Sequence, residues 1–196
     1  IYAQRSSNNN VQRVLKLSSG GKYQGKRFSS SNTFEVSANY TVYDFEDLNP
    51  SLNSFAFRQF AFKDSTRIML TNDMSIFAIG NIKLSEQGDF RWSNFTSKPS
   101  RYLQETYFEP KLFYTYGDLR LGIGIRHYAL STYNFDDNND LQLISRYTSI
   151  GPLSEVTFKM RPRLYIRIYG WYEFIKNESN QRKELTNLNI DVKWNM

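Results

Sequence analysis

Apolar and polar positions alternate along most of this chain with a period of two, the signature of β-strands that are dry on one face and wet on the other. The clearest run lies between Thr33 and Asp44, where Phe34, Val36, Ala38, Tyr40 and Val42 alternate with Glu35, Ser37, Asn39 and Thr41. The C-terminal segment repeats it, with Leu188, Ile190, Val192, Trp194 and Met196 set against Asn187, Asn189, Asp191, Lys193 and Asn195. Phe108, Pro110, Leu112 and Tyr114 oppose Tyr107, Glu109 and Lys111. After Tyr116-Gly117-Asp118, which reads as a tight hairpin turn, Leu119, Leu121, Ile123 and Ile125 oppose Arg120, Gly122, Gly124 and Arg126. A second hairpin is centred on Arg161-Pro162-Arg163. Val156, Phe158 and Met160 precede it opposite Glu155, Thr157 and Lys159, while Leu164, Ile166, Ile168, Tyr172 and Phe174 follow it opposite Tyr165, Arg167, Tyr169, Trp171 and Glu173. Met74, Ile76, Ala78, Ile82 and Leu84 keep the period, although Phe77 and Ile79 stand on the polar side.

The pattern predicts strands over residues 11–23, 31–45, 54–63, 67–86, 104–116, 118–130, 149–160, 163–176 and 185–196. Short turns near Asn72-Asp73, Gly117 and Pro162 alternate with long polar connections over 45–53, 86–101, 131–147 and 176–184. Outer-membrane barrels follow this rhythm, with short periplasmic turns and long extracellular loops, and it puts the C-terminus on the periplasmic side. The expected fold is all-β: an antiparallel transmembrane up-and-down β-barrel of about 8–10 strands in this chain. It forms one domain over 1–196, with 1–10 a loop or truncated strand and 185–196 the C-terminal strand. Single-chain bacterial barrels have an even strand number. An odd count therefore leads us to expect the C-terminal part of a larger barrel, the alternatives being residues 1–5 as the remnant of a tenth strand, or one segment wrongly split or merged. A start at Ile1, without initiator Met or basic-apolar leader, fits a processed chain or a piece of a longer one.

Composition narrows the classes. Aromatic residues make up 16% of the 196, yet mean hydropathy is −0.59 and only 40% are hydrophobic. No stretch approaches the ~18 consecutive apolar residues of a membrane helix. Without cysteine there is neither a disulfide framework nor a thiolate metal site. The net charge of +6 is spread singly along alternating segments rather than gathered into tracts, which argues against nucleic acid as a partner.

Alternation also suits a soluble barrel, whose apolar face turns inward. Two features favour lipid. The polar side mixes Asn, Ser, Thr, Gly and Tyr with isolated Arg and Glu, and Tyr165, Tyr169 and Trp171 on that side suit a lumen. The apolar side often ends in rings, such as Phe34 and Tyr40, Tyr114 and Tyr116, or Tyr172 and Phe174, as interfacial aromatic girdles require. The last strand, with Leu188, Ile190, Val192, Trp194 and Met196 at every second position, resembles the C-terminal targeting strand of outer-membrane barrels, although it ends on Met rather than Phe or Trp. The aromatic-rich strands and Asn-rich loops resemble large outer-membrane barrels of Bacteroidetes-like bacteria. That resemblance implies residence in the bacterial outer membrane, with outer-membrane lipid and other envelope proteins as the partners.

Parity then sorts the side chains. Glu35, Glu109, Lys111, Arg120, Arg126, Glu155, Lys159, Tyr165, Arg167, Tyr169, Trp171, Glu173, Asp191 and Lys193 are expected to line the lumen. Phe34, Val36, Tyr40, Val42, Leu121, Ile123, Ile125, Leu164, Ile166, Ile168, Leu188, Ile190, Val192 and Trp194 are expected to face lipid. Acids and bases at lumen parity are read first as pairs across neighbouring strands, and second as a selectivity-determining lining. Gly122 and Gly124 imply that a plug or bulky neighbouring side chains approach the wall closely.

No catalytic constellation is expected. The one histidine, His127, shares the outward parity of Leu121, Ile123 and Ile125, so a Ser/His/Asp site lacks its base. No metal or cofactor is implied. The function expected is porin-like or transporter-like passage of polar solutes. A structural, anchoring barrel with a filled lumen that holds partner proteins is the first alternative, and a soluble ligand-binding β-barrel the second.

Overall fold

The computed structural model describes residues 10–43, 53–91, 96–136, 140–160, 164–176 and 182–194. Each alternating run becomes one strand: β1 (Asn10–Gln24), β2 (Phe28–Tyr43), β3 (Phe55–Met69), β4 (Met74–Arg91), β5 (Thr96–Tyr116), β6 (Leu119–Phe135), β7 (Leu141–Met160), β8 (Leu164–Lys176) and β9 (Arg182–Trp194). All neighbours pair antiparallel in one nine-stranded sheet whose spatial order is the chain order. This is up-and-down topology, with β1 and β9 as its edges.

The number of strands is the expected one, but several are longer than the alternation suggests. Residues 67–69, read as the start of a new strand, instead complete β3, and the turn follows at 70–73. The connection expected over 86–101 is confined to 92–95, and that over 131–147 to 136–140. The upper parts of β5 and β7 carry polar residues in succession, including Ser100-Arg101 and Ser145-Arg146, so the period-2 contrast fades there. The backbone ladder continues regardless, because its donors and acceptors need no apolar side chain. Residues 1–9, 44–52, 161–163, 177–181 and 195–196, which include the Arg161-Pro162-Arg163 turn and the terminal Met196, lie outside the described residues.

Connections of two to four residues fall at one end of the sheet and connections of four or more at the other. At the short-turn end Gly117 takes φ +56°, a left-handed conformation that a Cβ disfavours, and closes a two-residue hairpin with Asp118. These turns also continue the ladder sideways: Thr115 N donates to Asp73 O at 2.8 Å, Lys159 N to Asp118 O at 2.9 Å, and Met69 N to Arg27 O at 2.7 Å. At the other end two register shifts insert one extra residue each, Ser100 on β5 and Ile144 on β7. Pro110 on β5 and Pro152 on β7 stand at the level of Ile125 on β6. Pairing lapses beside each of them, between residues 109–110 and 125–126 and between 151–152 and 172–173.

The sheet is curled, and side-chain contacts show toward which face. In a flat sheet β5 and β8 would lie roughly 14 Å apart, three strand spacings. Yet the Tyr169 hydroxyl on β8 donates to Glu109 on β5 at 2.9 Å. The face bearing both is therefore concave.

Burial runs opposite to a soluble protein. Glu109, Lys111 and Glu155 on the concave face are 3%, 5% and 6% exposed, while Ile123 and Leu188 on the convex face are 64% and 68% exposed. The buried face is the charged one.

Candidate functional site: the concave face

Register places all fourteen residues expected at the lumen on the concave face, and all fourteen expected at lipid on the convex one. Direct cross-strand partners share a face. Glu35 stands opposite Ala61, Ala61 opposite Lys83, and Lys83 opposite Glu105. Gly122 stands opposite Glu155, Glu155 opposite Tyr169, and Thr157 opposite Arg167, which faces Asp191. Tyr165 stands between Lys159 and Lys193, whose ammonium groups lie 5.9 and 5.7 Å from its ring centre. His127 falls on the convex side between Phe108 and Ile150.

The concave face has one dense centre, built from β5 to β8. Lys111 Nζ lies 2.9 Å from Glu109 Oε1 and 3.1 Å from Glu155 Oε2. Arg167 holds Glu155 with two bonds, Nε to Oε1 at 3.0 Å and Nη2 to Oε2 at 3.1 Å. Such bidentate, charge-assisted geometry is stronger than a neutral hydrogen bond and fixes both planes. Glu109 also accepts the hydroxyls of Tyr107 and Tyr169 on its Oε2. Arg126 Nε lies 3.1 Å from Glu173 Oε1. Every carboxylate in the cluster has a cation, which a buried charge requires.

Several of these partners are not the ones simple pairing supplies. Lys111 reaches Glu155 across β6, Arg126 reaches Glu173 across β7, and Tyr169 reaches Glu109 across both. The expectation of pairs on adjacent strands holds for Lys16 with Glu35 at 3.0 Å, for Lys83 with Glu105 at 2.9 Å, and for Arg167 with Glu155. Curvature supplies the longer ones by bringing the tips of inward side chains together.

The glycines explain how bulky groups fit. The Phe113 ring lies directly over Gly122, and Lys111 packs over Gly124, whose missing Cβ also leaves space for the Pro110 carbonyl. Neighbouring side chains, rather than another segment, make the close approach among the described residues. Rings frame the charges as well: Lys111 Nζ is 5.1 Å from the Tyr169 ring centre, the Arg126 guanidinium 4.5 Å from Trp171, and the Arg120 guanidinium 3.6 Å from Phe113.

Sequence parity missed Arg67, because its segment was assigned to the following strand. On β3 it stands opposite Ser29 and Phe77 and is concave. Tyr107, Phe77 and Phe113 also belong to the cluster, and the odd-numbered parity of Tyr107, Glu109 and Lys111 was the signal for Phe113. Among the described residues no group of three acidic, histidine or cysteine side chains is placed to hold a metal.

An antiparallel up-and-down sheet that turns charge toward its hollow and hydrocarbon outward has the architecture of outer-membrane β-barrel proteins. A solved structure agrees on the fold. Over 95% of its length the chain is similar to the crystal structure of BauA, the ferric preacinetobactin receptor from Acinetobacter baumannii, with a TM-score of 0.59 and 8% identity. It spans 38% of that receptor's chain. It also matches the β domain of the Bordetella autotransporter BrkA, at 9% identity over 93% of this chain and 76% of that one, with a TM-score of 0.45. No family model and no curated protein matches the sequence.

Proposed function

We propose that the chain forms outer-membrane barrel wall and that its concave face lines a passage for polar solutes. The observation that carries this reading is the inversion of burial, with Glu109, Lys111, Glu155 and Glu173 on the hollow side and Ile123, Ile125, Leu188, Ile190 and Val192 exposed on the other. A soluble barrel puts its apolar face inside, whereas a membrane barrel presents an apolar band about 25 Å tall to lipid. In the membrane the short turns lie on the periplasmic side and the long connections outside. Arg126, Lys159, Arg167, Glu173 and Lys193 then set which charge passes, because fixed charges at a lumen wall select ions by sign. The similarity to a ferric-preacinetobactin receptor is of fold, and the solute of this chain is argued from its own wall.

A filled lumen that anchors partner proteins is the second reading. It is favoured by the near-complete burial of the Lys111 cluster, which leaves little open water around those charges.

Conductance separates the two. The whole barrel that carries this wall, purified and reconstituted in a planar bilayer, is expected to give single-channel events whose ion selectivity moves toward cations when Arg126 and Arg167 are replaced by Gln. A heat-modifiable, folded barrel that shows no events overturns passage and leaves anchoring.

A further inference from the structure

We propose that the short-turn end of the concave face carries a site for a small oxyanion, phosphate or sulfate in type, centred on Arg67. The inference names a solute class for the passage argued above and rests on that reading for its role, although binding itself needs no flux.

Three cations, Arg67, Lys26 and Arg27, line one hollow with no carboxylate in its wall, and Arg120 lies within electrostatic reach of Arg67. Arg67 and Arg120 carry Nε groups that are shielded from solvent and meet no hydrogen-bond acceptor. Neither residue has an acid within ion-pair distance among the described residues. A buried donor left unpaired costs about 1–3 kcal/mol, and more when charged, so each of these guanidinium groups gains from an acceptor. The nearest inward carboxylate, Glu155, is already held by Arg167 and Lys111. Arg120 feels the like charges of Arg67 and Arg167 together with the opposing charge of Glu155. Arg67 also borders a hollow of about 260 Å³ lined by Lys26, Arg27, Gln24, Ser29, Phe28 and Met69. That lining brings two more cations, a hydroxyl and an amide to the same place, and no acid.

The chemistry of the ligand follows from the donors. Guanidinium groups present planar pairs of N–H groups that match the oxygens of phosphate, sulfate or carboxylate, and they keep their charge at any accessible pH. Phe113, whose ring centre lies 3.6 Å from the Arg120 guanidinium, holds that group by a cation–π contact. At about 260 Å³ the hollow has room for such an ion together with its bound water. Arg67 and Ser29 stand on the concave side by register, which commits the site to a dissolved oxyanion rather than a lipid headgroup.

The test is calorimetric titration of the full chain, folded in a neutral detergent, with inorganic phosphate at constant ionic strength held by chloride. Saturable binding is expected. Arg67→Gln and Arg120→Gln should each weaken it about tenfold or more, as the loss of a charge-assisted bond implies. Arg67→Lys should fall between, keeping the charge but losing the fork, and Lys98→Gln, at an exposed cation opposite Asp89 at the far end of the sheet, should bind as the parent does. Heat-modifiable gel mobility identifies variants that have folded, and Arg67→Lys provides the comparison if Arg67→Gln does not. Heat that does not saturate, equal losses from Lys98→Gln, or binding seen only when micelles contain an anionic phospholipid would each overturn the site. A chain that binds phosphate but conducts nothing retains the site and loses the passage. One that conducts but does not bind phosphate retains the passage alone.

Discussion

Lys111→Met is expected to destabilise the folded barrel by about 3–5 kcal/mol, because removing one member of a buried ion cluster leaves the others uncompensated. Lys111 is 5% exposed and is the cation between Glu109 and Glu155. Methionine fills a similar volume, so little of the effect comes from a cavity. After the change Glu109 keeps two tyrosine hydroxyls and Glu155 keeps Arg167, which places the loss toward the lower end of the range. Removing a carboxylate as well should recover part of it, and Lys111→Met with Glu155→Gln is expected to be more stable than Lys111→Met alone. The measurement is the urea midpoint of the detergent-folded chain, followed by tryptophan emission. A single variant within about 0.5 kcal/mol of the parent, the range of ordinary surface substitutions, would mean that water reaches Lys111 and that the cluster is solvated.

Ile123→Arg should cost about 2–4 kcal/mol in lipid, the penalty for a cation at the bilayer midplane on the outer wall of a barrel. The depth follows from the strand. A band about 25 Å tall, crossed by a strand tilted ~40°, takes roughly ten residues at 3.4 Å per residue. Counted from Leu119 at the turn, its middle falls near Ile123 and Ile125. Leu119→Arg, at the rim, is expected to cost about 0–1 kcal/mol. The comparison uses urea unfolding from phosphatidylcholine vesicles, and the difference between the two variants is the readout. Equal tolerance of both would remove lipid from the convex face.

Facing was legible in the sequence wherever the strands cross the apolar band. Parity alone separates Leu121, Ile123 and Ile125 from Arg120, Gly122 and Arg126, because every second residue of a strand returns to the same side. Beyond the band both sides are wetted, and the upper halves of β5 and β7 read as loops although their ladders continue. Parity also says nothing of distance around the wall. That Lys111 meets Glu155 and Tyr169 meets Glu109 depends on curvature, a property of the assembled sheet rather than of any one strand. Arg67 illustrates the cost of a misplaced turn: assigned to the next strand, it had no dependable face, and the cation-rich hollow beside it had no counterpart in the reading.

Pro110 and Pro152, at the level of Ile125 on the strands to either side of it, bear on mechanics. Neither can donate an amide proton, and cross-strand pairing lapses beside both. Shear along the sheet is resisted chiefly by its ladder, so these two lapses form a crease across the wall at one height. Under lateral pressure from the bilayer the cross-section should yield along that crease before it yields elsewhere, becoming oval rather than narrowing evenly. Deuterium uptake in vesicles would then be fastest, within the membrane-crossing part of β5 to β8, at the amides of Ile125, Arg126, Tyr172 and Glu173. Uniform protection through that band would show the wall to be stiff throughout.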